Sequence, residues 1–397
     1  MTEDSSRRRF LQTTATLGAA RSMLAAPGPA LPDATIYTRL GIRPVINGIG
    51  VVTILGGSIM PPEVVHAMEE ASHHFVPLIE LQTKVGARIA ELLGAPAAMV
   101  TCGCASAITM GTVACVAGGD PEKLGRLPDT TGMKNEIVQQ KSHRGGYEQQ
   151  MWLVGTKTIW VETREDLDRA INERTAMMFF YNEMEPEGKI GRHEWIRVGK
   201  ERGVPTFNDA ASDTPPVERL SQYVREGFDL VAFSGGKALL GPQCSGLLMG
   251  RKDLIEAALP GMNPYSSIGR GMKVGKEEMV GLLAAVERYL KVDHDREMRE
   301  LEARVQDMIG ALAKIRGLTA ERHMPPIANH VPHVRLTWNE EDIKLRAGEV
   351  VRRLIEGNPP IAISMLGERL LQISVWMMRP GEHLVVSKRL NEIFTGA

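Results

Sequence analysis

The chain has 397 residues, 43% of them apolar and 24% charged, enough to bury a full core and form one large domain plus a smaller one. Its 47 Lys and Arg balance 48 Asp and Glu, and a formal charge of -1 argues against a nucleic-acid partner, which usually meets a basic face. Four cysteines, at 102, 104, 115 and 244, are too few for a disulfide framework, and a zinc site would lack its second ligand pair, so no metal is expected.

The N-terminus reads Ser6-Arg7-Arg8-Arg9-Phe10-Leu11-Gln12 and then the weakly apolar TTATLGAA. A polar residue, two arginines, any residue and two apolar ones form the twin-arginine export pattern. It predicts a signal peptide over residues 1–30, cut after Ala30, and a periplasmic or exported mature protein. The alternative is a basic tail on a cytoplasmic protein. No other apolar run approaches the roughly 20 residues that span a bilayer, so no membrane span is expected in the mature protein.

From Tyr37 onward strand-like and helix-like segments alternate, without repeats or charged linkers, which is an α/β pattern. The segment 61–75 opens with prolines suited to a first helical turn, and 81–94 has helical apolar spacing closed by Gly94. Next come a short apolar strand, a small-residue turn and a helix of small residues in AAMVTCGCASAITMGTVACVAGG. The apolar runs 175–182, 204–209 and 229–234 have the length and flanks of buried strands, and two end in polar residues, where α/β sheets place ligands. One long helix is expected from about Lys276 to Ile315, ended by Gly317, linking a large domain (31–295) to a small one (296–397). The small domain alternates strand-like HVPHVRLTW and RLLQISVW with helix-like segments.

Four elements carry chemistry. Phe233-Ser234-Gly235-Gly236-Lys237 ends a buried strand with a lysine; an apolar surround lowers a lysine's pKa and makes it a nucleophile toward an aldehyde. Alone it also reads as a surface lysine after a glycine turn. Asp209 ends the preceding strand, 28 residues earlier, where a carboxylate can hold the protonated ring nitrogen of pyridoxal phosphate (PLP); it also reads as a helix N-cap. The turn Thr101–Ala107 lets backbone approach a phosphate at a helix start, or is simply a tight strand-to-helix connection. His143, in QKSHRGGY, has the option of stacking on a cofactor ring or of being a surface residue.

In this order the four elements resemble the fold-type I PLP enzymes. Within them the chain resembles the group of bacterial selenocysteine synthase (seryl-tRNA selenium transferase) and the D-glucosaminate-6-phosphate ammonia-lyases, through RPVINGIGVVTILGG, FSGGKALLGPQCSG and IGRGMKVGKEEMVGLLAAVERYL. The resemblance implies the fold-type I PLP-dependent transferase fold, with a large mixed-sheet α/β domain and a smaller C-terminal α+β domain. It makes Lys237 the Schiff-base lysine, Asp209 the pyridinium partner and His143 the stacking ring. Ser234 with Gly103, Cys104, Ala105 and Ser106 would hold the phosphate, Ser212 would reach the 3′-oxygen, and Asn182 would neighbour the cofactor. Arg270 and Lys273 would bind an anionic substrate group and Arg379 a substrate carboxylate, unless Arg379 is a surface loop arginine.

Three departures point away from tRNA. Gly57 stands where selenocysteine synthase has an arginine, Lys273 replaces an arginine and loses its bidentate fork, and the expected signal peptide before the first motif leaves no N-terminal tRNA-binding domain expected. The expected activity is α,β-elimination on a small β-hydroxy amino acid or amino sugar acid, releasing ammonia and a 2-oxo acid. Selenium transfer or a related β-replacement is the alternative, racemisation and retro-aldol cleavage share the first step, and a non-catalytic exported binding protein on the same fold is a third reading. The fold implies at least a homodimer.

Overall fold

The computed structural model describes residues 35–396. They form two compact units, one of residues 58–292 with 326–330, the other of the described residues up to 57 with 293–325 and 331–396. The predicted signal peptide lies outside the described residues. Among them no helix is long and apolar enough to cross a membrane.

The larger unit is built on seven strands: β1 (Ala97–Thr101), β2 (Glu136–Gln140), β3 (Lys157–Val161), β4 (Thr175–Tyr181), β5 (Thr206–Asp209), β6 (Leu230–Ser234) and β7 (Gly246–Gly250). Their order is β1-β7-β6-β5-β4-β2-β3, all parallel except β7. The predicted strands at 175–182, 204–209 and 229–234 are β4, β5 and β6. β4 is buried along nearly its whole length, as its unbroken TAMMFF run requires of a strand covered on both faces. Register sets Tyr181 beside Asp209, Asp209 beside Ala232, and both Ser234 and Thr101 beside Gly246. The carboxyl ends of β1, β2, β4, β5 and β6 therefore share one edge of the sheet.

Two helices fix the β1 end. Helix Leu78–Leu93 closes on Gly94 in the left-handed region, as expected. Its buried Gln82 donates to Val100 O at 2.5 Å and accepts from Val100 N–H at 3.1 Å, so a side-chain amide satisfies the edge strand. Helix Gly103–Ala117 is apolar and buried on nearly every side. A Cβ on Gly111 would lie 2.4 Å from the Phe207 ring, so its small residues let it sit directly on β5.

Sequence reading and structure differ at two boundaries. The expected single helix from Lys276 to Ile315 is two, Lys276–Tyr289 and His294–Leu312, because Asp293 caps the second by accepting from the Arg296 N–H at 2.9 Å. Residues 35–57, assigned to the large domain by chain order, belong to the other unit, since strand Ile46–Gly48 pairs with the strand Ile361–Gly367. That unit is a five-stranded sheet whose remaining strands, Leu318–His323, His333–Trp338 and Leu370–Ser374, pair antiparallel. Its helices His294–Leu312, Ala347–Glu356 and Glu382–Thr395 supply Val305, Met308, Leu354 and Leu390 to its core.

Candidate active site

Lys237 follows β6 by three residues, in a turn held from several sides. Gly241 N–H donates to Gly235 O (2.8 Å), Leu240 N–H to Lys237 O (3.0 Å), and the Ser58 hydroxyl to Gly236 O (3.0 Å). Leu240 adopts a left-handed backbone (φ 55°), a conformation uncommon outside glycine and tolerated where surrounding structure enforces it. The turn leaves Lys237 half-buried with Nζ donating to Ser212 Oγ. Ser212 thus positions the amine directly.

Asp209 ends β5, fully enclosed. Its Oδ1 accepts from the Ala211 N–H at 3.1 Å and from Cys104 Sγ at 3.5 Å. Burial pushes this carboxyl up to about 6, while the Lys237 charge opposes the rise. The loop after β5 is sewn to β6, with Ala210 N–H donating to Ala232 O (3.0 Å) and Ser234 N–H to Ala211 O (3.3 Å). The same loop is tied to residues 326–330 through Asn329 N–H to Ser212 O (2.8 Å) and Arg219 to Ile327 O (2.7 Å).

The small-residue turn lies at the start of helix Gly103–Ala117. A Cβ on Gly246 would come within 2.3 Å of Gly103 C and 2.7 Å of Cys104 N, so β7 packs on this turn as only glycine allows. Ser106 Oγ, in the first turn, is buried without a hydrogen-bond partner. A helix start with free N–H groups and an orphaned hydroxyl is a fitting cradle for a phosphate. With the amine of Lys237 and the buried acid of Asp209 on the same sheet edge, the residues present fit PLP.

Lys237, Ser212, Asp209 and Cys104 are thus brought together, with Ser234 on the adjoining backbone. Two of the expected residues stand differently. His143 is neither a surface residue nor an open stacking face: its ring is fully buried, edge-on to Phe180 at 4.5 Å, and burial holds it neutral, its pKa near about 3. Tyr181 N–H donates to its Nδ1 (3.3 Å), and Nε2 lies 3.1 Å from the Gln140 amide, so the ring braces the loop after β2. The partly exposed aromatic of that loop is Tyr147, whose phenol is pushed up to about 12 by its partial burial and by the charge of Asp209. Asn182 donates to Asp213 Oδ2 (2.6 Å) and to Tyr223 Oη (2.9 Å), which makes it a support beneath the site.

Arg270 and Lys273 are exposed on a loop of the larger unit whose base is rigid. Asn263 donates to Val274 O (3.0 Å) and accepts from Val274 N–H (3.2 Å), and Gly269 N–H donates to Gly261 O (2.8 Å). Arg379 is exposed in the other unit, its backbone N–H donating to Glu382 Oε2 at 2.8 Å. Sequence reading missed Asp213 and Tyr223; the only signal was a second aspartate four residues after the first.

A lysine and a buried aspartate at successive strand ends, opposite a phosphate-ready helix start, define a fold-type I PLP enzyme. Residues 150–316 match the L-seryl-tRNA selenium transferase (SelA) family. Over 90% of its length the chain is 31% identical to the D-glucosaminate-6-phosphate ammonia lyase of Salmonella typhimurium, covering 97% of that protein. It is 32% identical, again over 90% of its length, to a 5'-C-glycyluridine monooxygenase-decarboxylase of a Streptomyces species, covering 91% of that protein. The solved structure of D-glucosaminate-6-phosphate ammonia-lyase superposes with a TM-score of 0.80 and 30% identity over 92% of this chain and 99% of that one. The chain belongs to the SelA-like family of PLP-dependent lyases and transferases.

Proposed function

We propose that the protein is a PLP-dependent lyase of the ammonia-lyase type, acting by α,β-elimination on a small β-hydroxy amino acid or amino sugar acid. The observation that carries this reading is the end-to-end structural match to an ammonia-lyase, at a TM-score of 0.80, with Lys237 and Asp209 both in place. In this reading Lys237, Asp209, Ser234 and the 103–106 turn hold the cofactor. PLP, when bound, supplies an electron sink for the pair released at the substrate α-carbon.

The chain's own groups divide the remaining work. Ser212 Oγ fixes Lys237 Nζ where it can take the α-proton and return it to the leaving hydroxyl. Asp209 holds a proton at the ring-nitrogen end, in a dry environment where its charge is felt strongly. Arg270 and Lys273 suit a small anionic group such as a carboxylate or sugar phosphate. Selenium transfer would instead call for a polyanion-binding surface, which a formal charge of -1 does not favour.

The test is direct. Purified protein should take up PLP with a visible absorbance band, lose band and activity together on borohydride treatment, and release ammonia and a 2-oxo acid from one member of a screen of such substrates. Binding of PLP without ammonia release across the screen, with selenium incorporated into seryl-tRNA, would replace the lyase reading.

Two further proposals concern setting. Ile59, Val65, Phe75, Val76 and Ile79 leave apolar surface exposed on the larger unit, which supports a two-fold homodimer, to be checked by sedimentation. The twin arginines support export. Changing Arg7 and Arg8 to Lys should retain a fused reporter in the cytoplasm, and equal periplasmic signal would remove that proposal.

A further inference from the structure

Cys104 was expected on the phosphate turn, yet its side chain leaves the turn and reaches the other end of the site. Sγ lies 3.5 Å from Asp209 Oδ1, a normal length for a thiol donor to a carboxylate, and Cys104 is only 8% exposed. Its backbone is pinned, because Gly103 and Cys104 N are packed against Gly246. The thiol therefore has little freedom to turn elsewhere.

Both hydrogen bonds on Asp209, from Ala211 N–H and from the thiol, fall on Oδ1. Of the other groups facing this carboxylate, Lys237 favours the anion and Glu183 opposes it, burial holds the Tyr147 and Tyr181 phenols neutral, and it raises the Asp213 carboxyl to about 7. Cys104 is the side chain among them that donates to Asp209 Oδ1, and burial and the adjacent Asp209 keep it a neutral thiol. A donor on Oδ1 lowers the proton affinity of the carboxylate without adding charge. That matters wherever Asp209 shares a proton with a second base, because each donor on the acid moves the shared proton toward the partner.

We propose that Cys104 is a positioning residue: its thiol proton, donated to Asp209 Oδ1, orients the carboxylate and keeps the proton shared with the cofactor's ring nitrogen on that nitrogen. The inference rests on the reading above, in which Asp209 serves PLP.

The experiment compares the holoenzyme with Cys104→Ala and Cys104→Ser, each loaded with PLP labelled with 15N in the ring. The 15N chemical shift is followed with pH, and PLP affinity is titrated separately. Thermal melts of the cofactor-free proteins check folding; alanine at a helix start is well tolerated. In Cys104→Ala the 15N shift at neutral pH should move toward the unprotonated value, the ratio of proton on the ring nitrogen to proton on Asp209 falling about three- to tenfold, the size expected for one weak donor to a charged group. Cys104→Ser, which restores a donor, should recover most of that shift. An unchanged 15N shift at neutral pH in Cys104→Ala, or equal displacement in both variants, would overturn the proposal, the latter because packing and not the donor would then be responsible. Wild-type protein that binds no PLP, or holds its ring nitrogen unprotonated at neutral pH, overturns the Asp209 reading as well, so the two failures are distinguishable.

Discussion

Asp213 offers a sharp test of how burial controls the acids beneath this site. Its Oδ2 accepts from Asn182 Nδ2 at 2.6 Å and Tyr223 Oη at 2.9 Å, yet enclosure still pushes the carboxyl from 3.8 up to about 7. A folded-state pKa above the unfolded one means that the native protein binds this proton more tightly. The associated stability is fully present below about pH 4 and is lost as pH rises through about 7. A displacement of about three units, at about 1.4 kcal/mol per unit, amounts to about 4 kcal/mol, an upper bound for a group whose neighbour Asp209 titrates nearby. Asp213→Asn is close to isosteric and does not titrate. It also places an N–H donor beside Asn182, whose Oδ1 is buried without a hydrogen-bond partner. Any offset from exchanged hydrogen bonds is the same at every pH, so the diagnostic quantity is the change in offset. The stability of Asp213→Asn relative to wild type should improve by several kcal/mol between pH 4 and pH 8, which for a unit of this size is a relative rise in Tm of roughly 5–10 °C. Thermal unfolding of the cofactor-free proteins across that range provides the assay. A difference in Tm independent of pH would refute the reasoning, since it would mean that the two hydrogen bonds fully offset the burial of the charge.

The other predictions concern the cofactor. Lys237→Ala should abolish the visible band of bound PLP and all turnover while leaving a folded protein; turnover in that variant would remove the central assignment. Asp209→Asn should leave the cofactor attached but lower turnover by orders of magnitude, measured by ammonia release, because the ring nitrogen loses its proton and the carbanion its sink. Gly246→Ala should weaken PLP binding at least tenfold and destabilise the protein by about 1–3 kcal/mol, by titration and chemical unfolding, since the added methyl meets backbone 2.3 Å away. Wild-type affinity there would show that the turn 103–106 is free to shift.

What could be read from the sequence follows the chemistry of each segment. β4, β5 and β6 were legible because their runs are apolar and end in residues that only a strand edge accommodates. β2 was not: EIVQQ is mostly polar, and its polar residues are buried because each has an internal partner. Glu136 pairs with Arg174, Gln139 donates to His143 O, and Gln140 bonds both ways to the Ile190 backbone. Periodicity cannot register a strand whose polar side chains find partners within the fold. Of the site, Lys237 and Asp209 could be found because they stand at strand ends. The direction of Cys104 could not, since its spacing is equally that of a phosphate turn and only the packing against Gly246 turns its thiol toward Asp209. The burial of His143 was hidden for a related reason: set among Lys, Ser, Arg and Gly it reads equally as a stacking ring or a surface residue, until Phe180 and Tyr181 are seen to enclose it.

The relatives narrow where reaction choice is made. An ammonia lyase and a monooxygenase-decarboxylase are about equally similar to this chain, 31% and 32% identical, each over 90% of its length. On the proposed reading, Lys237 and Asp209 would serve the cofactor and leave open which bond is broken. That choice depends on which substituent of the α-carbon is aligned with the cofactor, and hence on where the substrate's anionic group is gripped. The cations proposed above for that task, Arg270 and Lys273, stand on a loop whose base is clamped by Asn263 and Val274 and whose Gly269 would place a Cβ 2.5 Å from Met110. A rigid base makes the charge positions reproducible, while their exposure leaves them free for a ligand. Loss of Arg270 should accordingly raise KM more than it lowers kcat for the true substrate, whereas loss of Lys237 or Asp209 strikes every substrate alike.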